Sequence, residues 1–193
     1  MSKAGKTGVS NNTPKNILFG AGTIHKNLKY TDTAWNFEDS IIGATSGGSK
    51  ISIVPEVTKV EVDGAKVAAK GLTVKTGETA TMEINFIELT PEIIKAATIG
   101  KDGVSTDKTY DLIESKAMIE EGDYLENIAF VGETLDGRKI IVIMDNALCT
   151  SGLETEGKSK ESSVGTYTFE CHANLESDLE TLPWHIYYPK ATA

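Results

Sequence analysis

Hydrophobic positions along this chain alternate far more often than they recur at helical spacing. Ala80, Met82, Ile84 and Phe86 alternate with Thr81, Glu83 and Asn85, the period-two pattern of a half-buried strand. Tyr167, Phe169 and Cys171 alternate in the same way with Thr166, Thr168, Glu170 and His172. Trp184, Ile186 and Tyr188 close the chain as a last strand, bounded by Pro183 and Pro189. A first short strand is expected over 16–22, and another over Tyr124–Val131. Two Asp-Gly pairs between β-formers, Asp63-Gly64 and Asp136-Gly137, predict hairpin turns, because both residue types tolerate positive φ. The run Ile140–Met144 is apolar on both faces. Such a strand is either central or covered by a partner.

Helical signals gather at one place. Thr90 can cap, Pro91 suits the first helical position and Glu92 suits the positive end of the dipole. Ile93, Ile94 and Ala97 form a stripe and Gly100 ends it, so one short helix is expected around residues 90–99. A second helical turn near 115–121 is an alternative to strand and loop there. Residues 31–50 hold Gly43, Gly47 and Gly48 without sustained periodicity and read as a long assembly loop. Residues 1–15 are small and polar, with Lys3, Lys6 and Lys15 and no acid. They read as a flexible N-terminal arm. The sum is a mainly β fold, a β-sandwich or partly closed barrel of two antiparallel sheets, with one helix packed on it. All 193 residues fit one domain.

Charge adds an asymmetry. Residues 1–50 carry six Lys and three acids, a balance of +3. Residues 51–193 carry 13 Lys and Arg against 25 acids, a balance of −12. An acidic body repels phosphate backbones and disfavours nucleic-acid binding. No apolar run approaches the ~20 residues of a membrane helix, and the N-terminus lacks the apolar core of a secretory signal. A cytoplasmic origin is expected, with Cys149 and Cys171 reduced.

Chemistry is sparse. His25, His172 and His185 are scattered, and no Cys-x-x-Cys or His-x-x-x-His pattern exists. The segment Gly43–Lys50 departs from the phosphate-binding loop because its last two residues are transposed, to Ser49-Lys50. No Gly-x-Ser-x-Gly is present. The expectation is a protein with no cofactor, no metal and no catalytic residues, which works by assembling.

Taken in order, the features form a pattern. A polar arm, a short strand and a Gly/Ser loop precede Val62-Asp63-Gly64 and Lys70-Gly71. Glu88-Leu89-Thr90-Pro91-Glu92-Ile93-Ile94-Lys95 and Leu135-Asp136-Gly137 follow. The chain closes on Tyr167–Ala173 and Leu182-Pro183-Trp184-His185-Ile186-Tyr187-Tyr188-Pro189. Over about residues 15–189 this resembles the major tail tube proteins of long-tailed, non-contractile bacteriophages. The resemblance implies six copies per ring and rings stacked head to tail into a virion tail tube. It also implies a tape-measure protein inside, tail terminator and initiator proteins at the ends, and genomic DNA passing without specific binding. Many such proteins carry a C-terminal immunoglobulin-like domain, and none is expected here.

On that reading, inter-subunit contacts are expected from Lys3, Lys6, Lys15, Trp35, Phe37, Ile41, Ile42, Ile141 and Ile143. The basic arm would meet the acidic body of the next ring. Glu61, Glu83 and Glu170 are expected to face the lumen, whose negative charge lets DNA slide. Two alternatives stand beside it. One is the inner tube of a contractile tail, a tail-like bacteriocin or a secretion device. The other is a virion-borne module binding carbohydrate or a surface protein, with Trp35 as its exposed aromatic.

Overall fold

The computed structural model describes residues 8–157 and 159–190. Mainly β structure is what the alternation dictates. Eleven strands form among the described residues: β1 (Leu18–Lys26), β2 (Tyr30–Thr31), β3 (Ala34–Trp35), β4 (Thr45–Lys59), β5 (Thr73–Phe86), β6 (Lys101–Gly103), β7 (Leu112–Glu114), β8 (Leu125–Thr134), β9 (Lys139–Cys149), β10 (Gly165–Cys171) and β11 (Trp184–Tyr187). Two helices join them, α1 (Thr13–Asn16) and α2 (Pro91–Thr98). Residues 115–120, where a second helical turn was one reading, carry no helix; a 3-10 turn follows at Glu121–Asp123.

Seven strands share one antiparallel sheet in the order β1-β8-β9-β10-β5-β4. β11 lies beside the first half of β9, while β10 takes its second half. The two halves, β1-β8-β9 and β10-β5-β4, contribute to one core, and the outer strands β1 and β4 approach each other. The result is sandwich-like packing with a partly closed perimeter. Ribbons β2-β3 and β6-β7 are separate.

Core membership follows the alternation. Ala80, Met82, Ile84 and Phe86 from β5 meet Tyr167, Phe169 and Cys171 from β10, and all are buried. Ile93 and Ala97 of α2 close one side of that core. The helix starts as its sequence requires: the Ile93 amide donates to Thr90 Oγ1 at 3.2 Å. It ends on Ile99 in the left-handed region, after which the Gly100 amide donates to the Lys95 carbonyl.

Three expectations need correction. The segment 31–50 is not one loop: β2-β3 opens it and its last six residues begin β4. Gly47 and Gly48 sit where the β4–β5 register shifts, between Thr45 and Ser49, so this glycine pair marks a bulge rather than a coil. The Asp63-Gly64 hairpin is also displaced. A turn forms there, but the paired strands stop at Lys59 and Thr73. Thirteen residues, 60–72, connect them. The N-terminal arm, finally, ends in α1 at Thr13, and β1 starts two residues later than expected. Lys3 and Lys6 lie outside the described residues.

The Asp136-Gly137 turn, by contrast, joins β8 to β9 as expected. The Thr134 amide donates to the Arg138 carbonyl at 2.9 Å, and Gly137 takes φ +83°. Arg138 then ties both chain ends to this turn. Its Nη2 donates to the Lys15 carbonyl at 2.6 Å, and its Nη1 reaches the Lys190 carbonyl at 3.4 Å. Tyr188 Oη donates to Asn16 Oδ1 at 2.7 Å beside it.

Candidate assembly surfaces

Three surfaces stand out. The first is the outer face of β4-β5-β10. Register sets it in rows: Lys50 beside Glu83 beside Thr168, then Ser52 beside Thr81 beside Glu170. Asn85 extends it, its Oδ1 accepting from Thr166 Oγ1 at 2.7 Å and its Nδ2 donating to the Gly48 carbonyl at 3.1 Å. The same three strands turn Ile51, Met82 and Phe169 inward as one row. This outward face is a sheet of small hydroxyls carrying two carboxylates and one ammonium. It therefore joins Glu83 and Glu170 of the expected acidic set. Glu61 is elsewhere, exposed on the 60–72 connection.

The second surface is the far half of the β4–β5 hairpin. From Val54 to Lys59, and from Thr73 to Lys75, every residue is exposed. Val54, Val57, Val60, Val62, Val67 and Val74 keep between 45% and 79% of their surface. Four Lys (59, 66, 70, 75) and four acids (Glu56, Glu61, Asp63, Glu78) accompany them within 54–79, so this arm is apolar and net neutral. Sequence reasoning missed it as a surface. Its signal was a β-branched stretch whose valines never find a matching apolar strand.

The third surface is a flap, residues 27–40, lying on the outer face of β8-β9. Leu28, Trp35 and Phe37 cover Ala129, Val131, Ile141 and Ile143. Asn127 pins its start, accepting from the Leu28 amide at 2.9 Å and donating to the Leu28 carbonyl at 3.2 Å. Trp35 meets Tyr30 and Tyr187 edge-on, with ring centroids 5.4 and 4.9 Å away. Lys139 Nζ sits 4.6 Å over the Phe37 ring.

The flap corrects the expected contact set. Ile141 and Ile143 are 4% and 5% exposed. Their apolar outer face is answered by the chain's own flap, so it needs no partner. Ile42 is buried in the main core, whereas Ile41 is half exposed. Trp35 and Phe37 are half-buried as the lid itself, and Lys15 is half-buried in α1.

Beneath the flap, His25 is fully buried. Its Nδ1 lies 2.8 Å from Ser40 Oγ and its Nε2 lies 2.7 Å from Thr23 Oγ1. Ser40 Oγ donates onward to the Asn36 carbonyl, which assigns the proton to Nδ1 and leaves Nε2 to accept from Thr23. Burial, then the Lys139 charge, lowers the His25 pKa. The ring is a neutral structural strut.

The two cysteines and the His185–Asp145 pair are likewise structural. Burial pushes Cys171 up to about 12 and raises Cys149 as well. Both thiols are free and buried, poor nucleophiles on both counts. His185 Nε2 lies 3.2 Å from Asp145 Oδ2, and burial raises the Asp145 carboxyl. Among the described residues no three His, Cys, Asp or Glu gather as a metal site. No described helix is long and apolar enough to cross a membrane. No protein-family model matches this chain, and no curated protein matches it.

Proposed function

We propose that this chain is a structural, non-catalytic subunit that polymerises as six-membered rings stacked into a bacteriophage tail tube. The observation that carries the reading is the β4–β5 arm. It extends paired backbone and six exposed valines beyond the core, apolar surface of a kind that marks an interaction site. β4 is also the outer strand of the sheet. Its free edge offers backbone groups to another copy. The hydroxyl-rich outer face with Glu83 and Glu170 supports a lumen role, since it presents no cationic row to hold phosphate. A heterologous contact that does not close yields a filament, which is what stacking rings requires.

The test is to concentrate the purified protein and view it by negative-stain electron microscopy. Hollow tubes or six-membered rings are expected. A variant whose residues 60–72 are replaced by a two-residue turn should keep its thermal midpoint and lose those assemblies. Tubes formed equally well by that variant would overturn the role given to the arm. The inner tube of a contractile tail, a tail-like bacteriocin or a secretion device shares this reading, and partner proteins would separate them.

A second reading has one observation of its own. Tyr30 and Tyr187 are 58% and 48% exposed and flank Trp35, a cluster suited to sugar stacking. Saturable glycan binding lost in Trp35→Ala would favour that module.

A further inference from the structure

The chain contains three Asp-Gly pairs: Asp63-Gly64, Asp102-Gly103 and Asp136-Gly137. Such pairs share a chemical hazard. The glycine amide nitrogen attacks the aspartate Cγ, an N–Cγ bond forms, and water leaves with a carboxyl oxygen, closing a five-membered succinimide. Water then adds to either ring carbonyl. Addition at the Cα-side carbonyl breaks its bond to nitrogen and reroutes the backbone through the side chain, giving isoaspartate. One water leaves and one returns, so no other reactant is needed. Glycine permits the attack because no Cβ crowds its nitrogen.

The fold treats the three pairs differently. At Asp136-Gly137 both reacting groups are held. The Gly137 amide donates to the Thr134 carbonyl at 2.9 Å. The Asp136 carboxylate accepts from Thr134 Oγ1 at 2.5 Å and from Arg138 Nε at 2.8 Å. The Thr134 hydroxyl first, and Arg138 with it, holds that carboxyl below its usual range. A lowered pKa disfavours the protonated acid that cyclises. At Asp102-Gly103 the carboxylate pairs with Lys95 Nζ at 3.0 Å, and Gly103 is fixed in the β6–β7 ladder opposite Leu112.

Asp63-Gly64 has none of these restraints. Both residues are exposed on the 60–72 connection. Among the described residues neither the Asp63 carboxylate nor the Gly64 amide has a hydrogen-bond partner; the turn is closed one residue later, from the Ala65 amide to the Val62 carbonyl at 3.1 Å. We propose that Asp63 is a site of spontaneous isoaspartate formation, and that the fold protects Asp102 and Asp136 from the same reaction. The proposal is independent of the tube reading.

The test ages the intact folded protein at neutral pH, then denatures and digests it with trypsin. Isoaspartate is read in each Asp-Gly peptide by isoaspartyl methyltransferase labelling and fragmentation mass spectrometry. Asp63 sits in the peptide Val60–Lys66. It should convert about tenfold faster than Asp102 or Asp136, the factor that breaking one charge-assisted or amide hydrogen bond implies. The same ageing in concentrated urea should bring the three rates together. Equal rates in the folded protein would overturn the proposal, as would an Asp63 that reacts only in urea. Asp63→Glu enlarges the ring to six members and should abolish the signal in that peptide with the thermal midpoint unchanged. A signal that survives it would also count against Asp63 as its source.

Discussion

At the scale of single residues, four buried side-chain polar atoms lack a partner among the described residues, on Asn27, Ser49, Tyr167 and Trp184, and of these residues Tyr167 alone is fully buried. Tyr167 is fully buried with no hydrogen-bond partner for its hydroxyl among the described residues. An unpaired buried hydroxyl costs about 1–3 kcal/mol, whereas a neutral hydrogen bond returns about 1. Tyr167→Phe should therefore raise stability by about 1 kcal/mol, measured by urea unfolding. A loss instead would mean that the hydroxyl is bonded in solution. His25 is the opposite case, with both nitrogens used. Its folded pKa lies below the ordinary 6.5, owing first to burial and then to Lys139. The unfolded chain thus binds this proton more readily than the folded one. Its contribution to stability is complete above pH 6.5 and is lost as the pH falls from there through the folded value. Urea midpoints taken through this interval should fall more steeply for the native chain than for His25→Gln. Parallel curves would show that other groups carry the acid sensitivity.

At the scale of elements, the flap is the part whose removal has the clearest consequence. Trp35 links it to Tyr30, Phe37 and Tyr187. Trp35→Ala should cost about 2–3 kcal/mol, less than a fully buried tryptophan because the ring is half exposed. Hydrogen exchange should quicken through 27–40 and over Ala129, Val131, Ile141 and Ile143, while β5 and β10 stay protected. Uniform loss of protection would mean that the flap and the main core unfold together. The same element explains what could be read in advance. The alternation of β5 and β10 was legible because one face of each meets a continuous apolar core, and α2 was legible because Thr90-Pro91-Glu92 supplies its own cap. Ile140–Met144 was legible as a two-sided apolar strand, but not what covers it. Leu28, Trp35 and Phe37 sit in a stretch with no periodicity, and only the tertiary fold brings them across from the β1 end. The arm was illegible for the converse reason. Its strands are held by pairing rather than burial, so the 60–72 connection looked like a hairpin at its most turn-like dipeptide.

At the scale of the whole molecule, the two halves of the sheet treat their outer faces differently. One half covers its outer side with the flap, and among the described residues no segment packs over the outer side of the other half. The bare side is wet and nearly featureless: Ser52, Thr81, Thr166 and Thr168 around Glu83 and Glu170, with Lys50 at the margin. A surface meant to bind a macromolecule concentrates aromatic and arginine side chains. This one has neither, and so suits a conduit wall on the proposed reading. Reversing its charge tests that directly. Glu83→Lys with Glu170→Lys shifts each subunit by four charge units, and the proposed six-membered ring would repeat the change around its lumen. Neither side chain enters the core, since the inward rows hold Ile51, Met82 and Phe169. The double variant should fold and assemble as the native chain does. Its tubes should retain DNA at low ionic strength and release it as salt rises, because lysine contacts to phosphate displace counterions. Native tubes should pass the same DNA at every salt concentration. If the double variant assembles and still shows no salt-dependent retention, Glu83 and Glu170 do not face the passage. The bare face would then belong to the outside of the tube.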